Sequence, residues 1–132
     1  MKANPTFFAP MIYLKQVAPA IVFYKNAFGA IVLRQWNNED GSVHVAEMSI
    51  NGALFHMHEE SKRNNELSPG TLKGTSIAIG LFVDDPQAVM AKAVAAGGTE
   101  IDPVKDYDYD YSQGCLADPF GHHWLIEKKL AK

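Results

Sequence analysis

The 132-residue sequence contains one cysteine, no long apolar run and no excess of basic residues. Cys115 has no second cysteine to pair with, which excludes a disulfide-stapled secreted scaffold. No apolar stretch approaches the roughly 18–20 residues that span a bilayer, and residues 1–5 lack the apolar region of a signal peptide. Because the chain has 12 basic and 15 acidic residues, we expect no nucleic-acid partner. The lack of a membrane span and of a signal peptide predicts a cytoplasmic protein that does not bind membranes.

The chain does contain a repeat of about half its length. Two segments, 18–28 and 86–96, carry apolar residues at helical spacing, with a proline in the first turn and a glycine after the last. Two further glycines, Gly52 after asparagine and Gly121 after phenylalanine, indicate tight turns. Gly29 and Gly98 are 98 − 29 = 69 residues apart, and Gly52 and Gly121 are separated by the same offset, 121 − 52 = 69. A shared offset predicts a duplicated unit.

Each unit reads as a strand, a helix and three more strands. The predicted strands cover 7–15, 30–36, 43–50 and 53–58 in the first half, and 76–83, 99–104, 111–117 and 122–128 in the second. The polar segment between them contains Ser68-Pro69-Gly70 and indicates a linker. We therefore predict an α+β fold of two βαβββ modules, residues 1–58 and 75–132, joined by a linker over 59–74. Their mixed sheets would curl around a shared cleft.

Three motifs follow one another at characteristic places in this pattern, namely Ile21–Tyr24 with Phe28-Gly29, Phe82–Pro86, and Asp118–His122 before the last strand. In this order the chain resembles the vicinal oxygen chelate superfamily, which includes glyoxalase I, extradiol dioxygenases, and bleomycin and fosfomycin resistance proteins. The segment Gly121–Trp124 looks like the PhnB-like branch. The resemblance implies a homodimer that holds a small organic ligand in its cleft.

The resemblance also implies where a divalent metal would bind. Enzymes of the superfamily take His, Gln or Glu from the first and last strand of each half, at positions that correspond here to Ala9, His56, Ala78 and Leu125. Three of these residues carry no donor atom, so we predict that the usual metal, and any other cofactor, is absent. The resemblance then favours a binding protein like the bleomycin resistance proteins, which also lack the metal.

Two alternatives keep an enzymatic function of the glyoxalase-like type open, as a lyase, isomerase or dioxygenase. Strand alternation puts His56 and His58 on one face and His123 and Glu127 on one face. If both faces point into the cleft, His56, His123 and Glu127 could hold a divalent metal. Otherwise Glu47, His56 and Glu127 are candidates for metal-free acid–base chemistry, although Glu47 fits an exposed sheet edge equally well.

The candidate ligand-binding residues are aromatic or imidazole side chains on or between strands: Trp36, His56, His58, Tyr109, Tyr111 and His123. The two tyrosines belong to the run Tyr107–Tyr111, in which aspartates alternate. Such a run would line a ligand entrance and favour a cationic ligand, or it would form a polar hairpin that covers the sheet. Cys115 lies on an apolar strand without a basic neighbour, which indicates a buried, inert thiol.

Overall fold

The structure is a computed structural model that describes residues 3–131. The predicted modules also include residues 1, 2 and 132, which lie outside the described range. Within it the chain forms these elements: β1 (Met11–Leu14), α1 (Val17–Phe28), β2 (Ile31–Asn37), β3 (Val43–Ile50), β4 (Ala53–Glu59), α2 (Pro69–Leu72), β5 (Ala78–Phe82), α3 (Pro86–Ala95), β6 (Thr99–Tyr107), β7 (Tyr111–Ala117) and β8 (His123–Lys129). No helix of this range is long and apolar enough to cross a membrane.

The strands form two four-stranded mixed sheets with the same internal order. Sheet 1 runs β1-β4-β3-β2 and sheet 2 runs β5-β8-β7-β6, and only the first pair of each is parallel. The 69-residue offset reappears in the register, because Met11 pairs with His56 and Gly80 pairs with Leu125. The prediction of an α+β fold with two βαβββ modules is confirmed.

The observed elements differ from the predicted ones mainly at the first strand and in the linker. β1 begins at Met11 rather than residue 7, because Pro10 has no N–H to donate, although its carbonyl accepts a hydrogen bond from His56 N at 2.8 Å. The linker contains the single turn α2, which is capped by Ser68, whose hydroxyl oxygen accepts a hydrogen bond from Thr71 N. β6 extends to Tyr107, past an irregular register around Pro103.

The core lies between the helices and one face of each sheet. Along β4, Phe55 and Met57 are buried under α1, while the residues of opposite parity are half-exposed. α1 and α3 pack against each other and join the two modules. The Tyr24 ring of α1 contacts Phe55 of sheet 1 and Trp124 of sheet 2, each at 5.4 Å between centroids. The modules therefore share one apolar core within a single chain.

A buried carboxylate explains the Asp118–His122 motif. Asp118 Oδ2 accepts hydrogen bonds from the Tyr24 hydroxyl and from Trp124 Nε1, the latter at 3.0 Å. Asp118 Oδ1 accepts from the backbone N–H groups of Phe120 and His122, each at 3.0 Å. Because Tyr24 belongs to the first module and the rest to the second, this carboxylate connects the two halves and shapes the turn before β8.

Candidate functional site

The face of sheet 1 that points away from α1 gathers half of the residues predicted for the site, namely Trp36, Glu47, His56 and His58. We call it the histidine face, and its members are Tyr13, Arg34, Trp36, Glu47, His56 and His58. The register places Arg34 and His56 on either side of Glu47, and it places Trp36 in the neighbouring row with His58. Strand alternation therefore brings together residues that are far apart in the sequence.

Glu47 and His56 form a pair in the middle of this face. Glu47 Oε2 lies 3.2 Å from His56 Nε2, and both side chains are about three-quarters buried. Arg34 is the other cross-strand neighbour of Glu47, but its guanidinium lies over the Trp36 ring, 4.6 Å from the centroid. The pair can exchange a proton between its own members, and it presents a carboxylate and an imidazole to a ligand.

His58 lies at the end of the same face in a separate polar cluster. Its Nδ1 is 2.6 Å from the carbonyl oxygen of Glu59, and its ring contacts that of His44 at 4.6 Å. His44 Nδ1 lies 2.7 Å from Glu59 Oε1, and this hydrogen bond lowers the pKa of the Glu59 carboxyl. These contacts indicate that His58 helps to order the strand end.

The corresponding face of sheet 2 is aromatic, and we call it the tyrosine face: Phe82, Tyr107, Tyr111, Gln113 and Glu127, with Tyr109 in the turn beside them. The Tyr107 and Tyr109 rings stack at 5.1 Å, and Tyr109 lies 5.8 Å from Tyr111. Phe82 meets Tyr111 edge to face at 6.0 Å. The two predicted tyrosines thus belong to one continuous row of rings.

Glu127 is the buried carboxylate of the tyrosine face, with 5% of its surface exposed. Gln113 Nε2 donates to Glu127 Oε1 at 2.7 Å, and the Tyr109 hydroxyl donates to Gln113 Oε1 at 3.0 Å. The other oxygen, Oε2, lies over Gly80, only 2.5 Å from the point where a Cβ at that position would stand. Residue 80 must therefore lack a side chain for Glu127 to hold this position.

A cavity of about 790 Å³ lies between the N-terminal segment and the two sheets. Its lining is almost entirely apolar: Phe7, Phe8 and Pro10; Leu33, Glu47, Ile50, Gly52, Ala53, Leu54 and Phe55 of sheet 1 and its turns; Ile79, Gly80, Leu81 and Trp124 of sheet 2. Within the described chain, Glu47 is the one titratable side chain of this lining. A volume of this size fits the range of ligand pockets, roughly 300–1,000 Å³.

The predicted site residues relate to the cavity in different ways. Glu47 lines it and His56 contacts Glu47, while Trp36 and His58 lie elsewhere on the histidine face. Phe7, Phe8 and Gly80 also line the cavity, although the sequence did not predict them as site residues. Phe7 and Phe8 were predicted as ordinary residues of a longer first strand. The feature that could have identified them is an aromatic pair close before Pro10.

A sequence profile of the Glyoxalase/Bleomycin resistance protein/Dioxygenase superfamily matches residues 7–126. The chain belongs to this superfamily. It is 33% identical over 121 residues to the uncharacterised protein Mb0911c of Mycobacterium bovis, covering 89% of this chain and 80% of the relative. The crystal structure of an Arabidopsis thaliana protein, At5g48480, is 28% identical with a TM-score of 0.73, covering 92% and 98%. A glyoxalase-related enzyme from Fulvimarina pelagi, at 19% identity and a TM-score of 0.70, shares the fold over 95% and 89%.

The residues present do not supply the ligand set of metal-dependent members of the superfamily. At the four expected positions only His56 carries a donor, because Ala9, Ala78 and Leu125 end in hydrocarbon. The alternative set divides between sheets, with His56 on β4 and both His123 and Glu127 on β8. Between residues 3 and 131, no three His, Cys, Asp or Glu side chains lie close enough together to hold a metal ion.

Cys115 is half-buried on β7, on the same sheet face as Glu127. Burial raises the pKa of its thiol, and the nearby Asp102 carboxylate raises it further. A raised pKa lowers the fraction of thiolate at neutral pH, so the geometry gives this cysteine no activation as a nucleophile.

Proposed function

We propose that the protein binds a small organic ligand in the cavity between its modules, without the usual metal of the superfamily. One observation carries this proposal: a ligand-sized cavity is lined by apolar side chains and a single carboxylate, Glu47. Apolar walls supply binding energy as they leave water, and one polar group orients the ligand. The sequence Gly121-His122-His123-Trp124 supports membership of the PhnB-like branch of the superfamily. We also expect a cytoplasmic location.

Metal-free acid–base catalysis is the second candidate, favoured by the contact between Glu47 and His56. A bound ligand that presents an acidic C–H or O–H to Glu47 would lose that proton to the carboxylate, with His56 as the second proton-transfer group. Glu127 belongs to the other sheet and has no contact with this pair in the described structure. Its place in an acid–base step thus depends on a ligand that reaches both sheets.

We also propose a homodimer, because the isolated chain exposes large apolar side chains on one edge and at the N-terminal segment. Phe8 is 98% exposed and Ile31 on the edge strand β2 is 57% exposed. Unpaired edge strands and apolar patches of this kind are commonly covered in solution. Light scattering coupled to size exclusion should give about twice the 14.5 kDa chain mass, and a monomer at micromolar concentration would contradict the proposal.

The test of ligand binding uses ¹⁵N-labelled, untagged protein and the neutral probe 3-phenylpropan-1-ol. We expect NMR shifts to concentrate at residues 33, 47, 53–55 and 79–81. Leu54→Trp fills the cavity and should abolish the shifts, whereas the matched variant Leu72→Trp alters an exposed residue outside the lining and should not. Shifts centred elsewhere, or unchanged affinity in Leu54→Trp, would contradict the proposed site.

Elemental analysis of the same untagged protein tests the metal-free state. We expect far less than one transition-metal ion per chain. A near-stoichiometric metal that disappears in His56→Ala would overturn this part of the proposal, and it would favour a metal-dependent reaction.

A further inference from the structure

Resting on the proposed ligand cavity, we infer that its occupant is an amphipathic organic cation. The ligand's ammonium group would lie between the carboxylates of Glu47 and Glu127, and its apolar body would fill the cavity. The inference adds the charge of the ligand to the function proposed above. Three features support it: an acid in the cavity wall that is paired only with a histidine among the described residues, a second acid behind Gly80 of that wall, and aromatic rings in and beside the lining.

The first acid, Glu47, has no lysine or arginine against it in the described chain. The basic residue opposite it on the neighbouring strand, Arg34, holds its guanidinium over the Trp36 ring. The ion partner of Glu47 among the described residues is His56, which carries a charge only when it is protonated. A carboxylate in an apolar lining is costly to desolvate, and a ligand cation would offset that cost.

The second acid, Glu127, lies behind the part of the cavity wall that Gly80 forms. Its Oε2 fills the space over Gly80, and Gly80 itself lines the cavity. The hydrogen bond that Gln113 donates falls on Oε1, so Oε2, on the Gly80 side, is the oxygen that a ligand cation would meet. A residue larger than glycine at position 80 would separate the carboxylate from the cavity.

Aromatic rings surround the same region and suit a cationic nitrogen. Phe82 Cε1 lies 3.8 Å from the Cβ point above Gly80, and the exposed rings of Phe7 and Phe8 line the cavity. The faces of such rings attract ammonium groups, most strongly where water is excluded. The protein itself shows this contact on the tyrosine face, where Lys105 Nζ lies 5.4 Å from the Tyr107 centroid.

The two lysines on the tyrosine face lie away from Gly80. Lys129 pairs in register with Tyr111, and Lys105 on β6 pairs with Gln113, so that β7 lies between Lys105 and Glu127. Gly80 pairs instead with Leu125, on the opposite side of Glu127 along β8. These lysines therefore leave the Gly80 side of Glu127 open to a cation.

The test compares three probes that share one apolar body near neutral pH: 3-phenylpropylamine, 3-phenylpropan-1-ol and 3-phenylpropanoate. NMR titration should show the amine binding about tenfold more tightly than the alcohol, with the carboxylate weakest. Glu47→Gln and Glu127→Gln should each weaken amine binding severalfold and leave alcohol binding unchanged. Glu39→Gln, in an exposed turn, is the matched control and should change none of the three.

Equal binding of amine and alcohol to the wild-type protein would overturn the inference while the proposed ligand cavity stands. Failure of all three probes to shift cavity residues at millimolar concentration would overturn both. An amine preference that survives in both glutamine variants would also refute it. If Glu127→Gln does not fold, Glu47→Gln decides the matter alone, because its position on the half-exposed histidine face tolerates a neutral isostere.

Discussion

Replacing Asp118 by alanine removes the carboxylate that connects the two modules. The resulting loss of stability can be worked out from the hydrogen-bond donors that lose their acceptor. Tyr24 and Trp124 are buried, with 0% and 1% of their surfaces exposed. Each loses an acceptor and becomes an unsatisfied buried donor, at about 1–3 kcal/mol apiece. Because the partners form one network, their contributions are not additive, and we expect a loss of about 3–5 kcal/mol in the free energy of unfolding.

The assay is thermal and urea unfolding followed by circular dichroism. For a chain of this length the expected loss corresponds to a fall in Tm of roughly 10–20 °C. Glu39→Ala, an exposed acid in a turn, is the control and should stay within about 0.5 kcal/mol of the wild type. A double-mutant cycle with Tyr24→Phe should give a coupling of roughly 0.5–3 kcal/mol. Asp118→Ala unfolding like the control, or a coupling of zero, would refute the reasoning.

Three further outcomes follow from single contacts. The backbone N–H of Ser68 lowers the pKa of Glu60 below its usual 4.5, so Glu60→Gln should destabilise the protein at neutral pH. The difference in Tm between Glu60→Gln and wild type should vanish as the pH falls below 4.5 and through the folded-state pKa of Glu60. A Tm difference that stays constant across this pH range would contradict the prediction. Gly80→Ala should move the Glu127 carboxylate at a cost of only about 0.5–1 kcal/mol in urea unfolding, since its Cβ meets the flexible end of that side chain, and an unmoved Glu127 in side-chain NMR would argue against the contact. Ellman's reagent should modify the half-buried Cys115 more slowly in the folded protein than in urea, because burial raises the pKa of the thiol, and equal rates would contradict the raised pKa.

Much of the fold could be predicted because its signals are local. Gly29 ends a helix and Gly52 and Gly121 form turns, all with positive φ, and the 69-residue offset between Gly52 and Gly121 shows the duplication without any tertiary information. After α3 it is Gly97, not Gly98, that has a positive φ. Strand parity likewise grouped His56 with His58, whereas the contact of Glu47 with His56 depends on the register between β3 and β4. The start of β1 was predicted too early because an apolar segment read as strand, whereas Pro10 limits the pairing to Met11 onward.

The residues that line the cavity could not be predicted in the same way, because the cavity forms where distant segments approach each other. Gly80 lies in a strand of sheet 2, and Ala53 and Leu54 follow a turn of sheet 1. No periodicity in the sequence relates these positions. The position of Glu127 over Gly80 also depends on side-chain packing across β5 and β8, which parity alone does not specify.

The most direct test of the central claim is a crystal structure of the untagged protein soaked with the brominated probe 3-(4-bromophenyl)propan-1-ol. Anomalous scattering locates the bromine and any transition metal in the same crystal. We expect the bromophenyl ring between Leu54 and Ile79, with the hydroxyl near Glu47 and no ion beside His56. A metal ion held by His56, or a probe found only outside this cavity, would contradict the account.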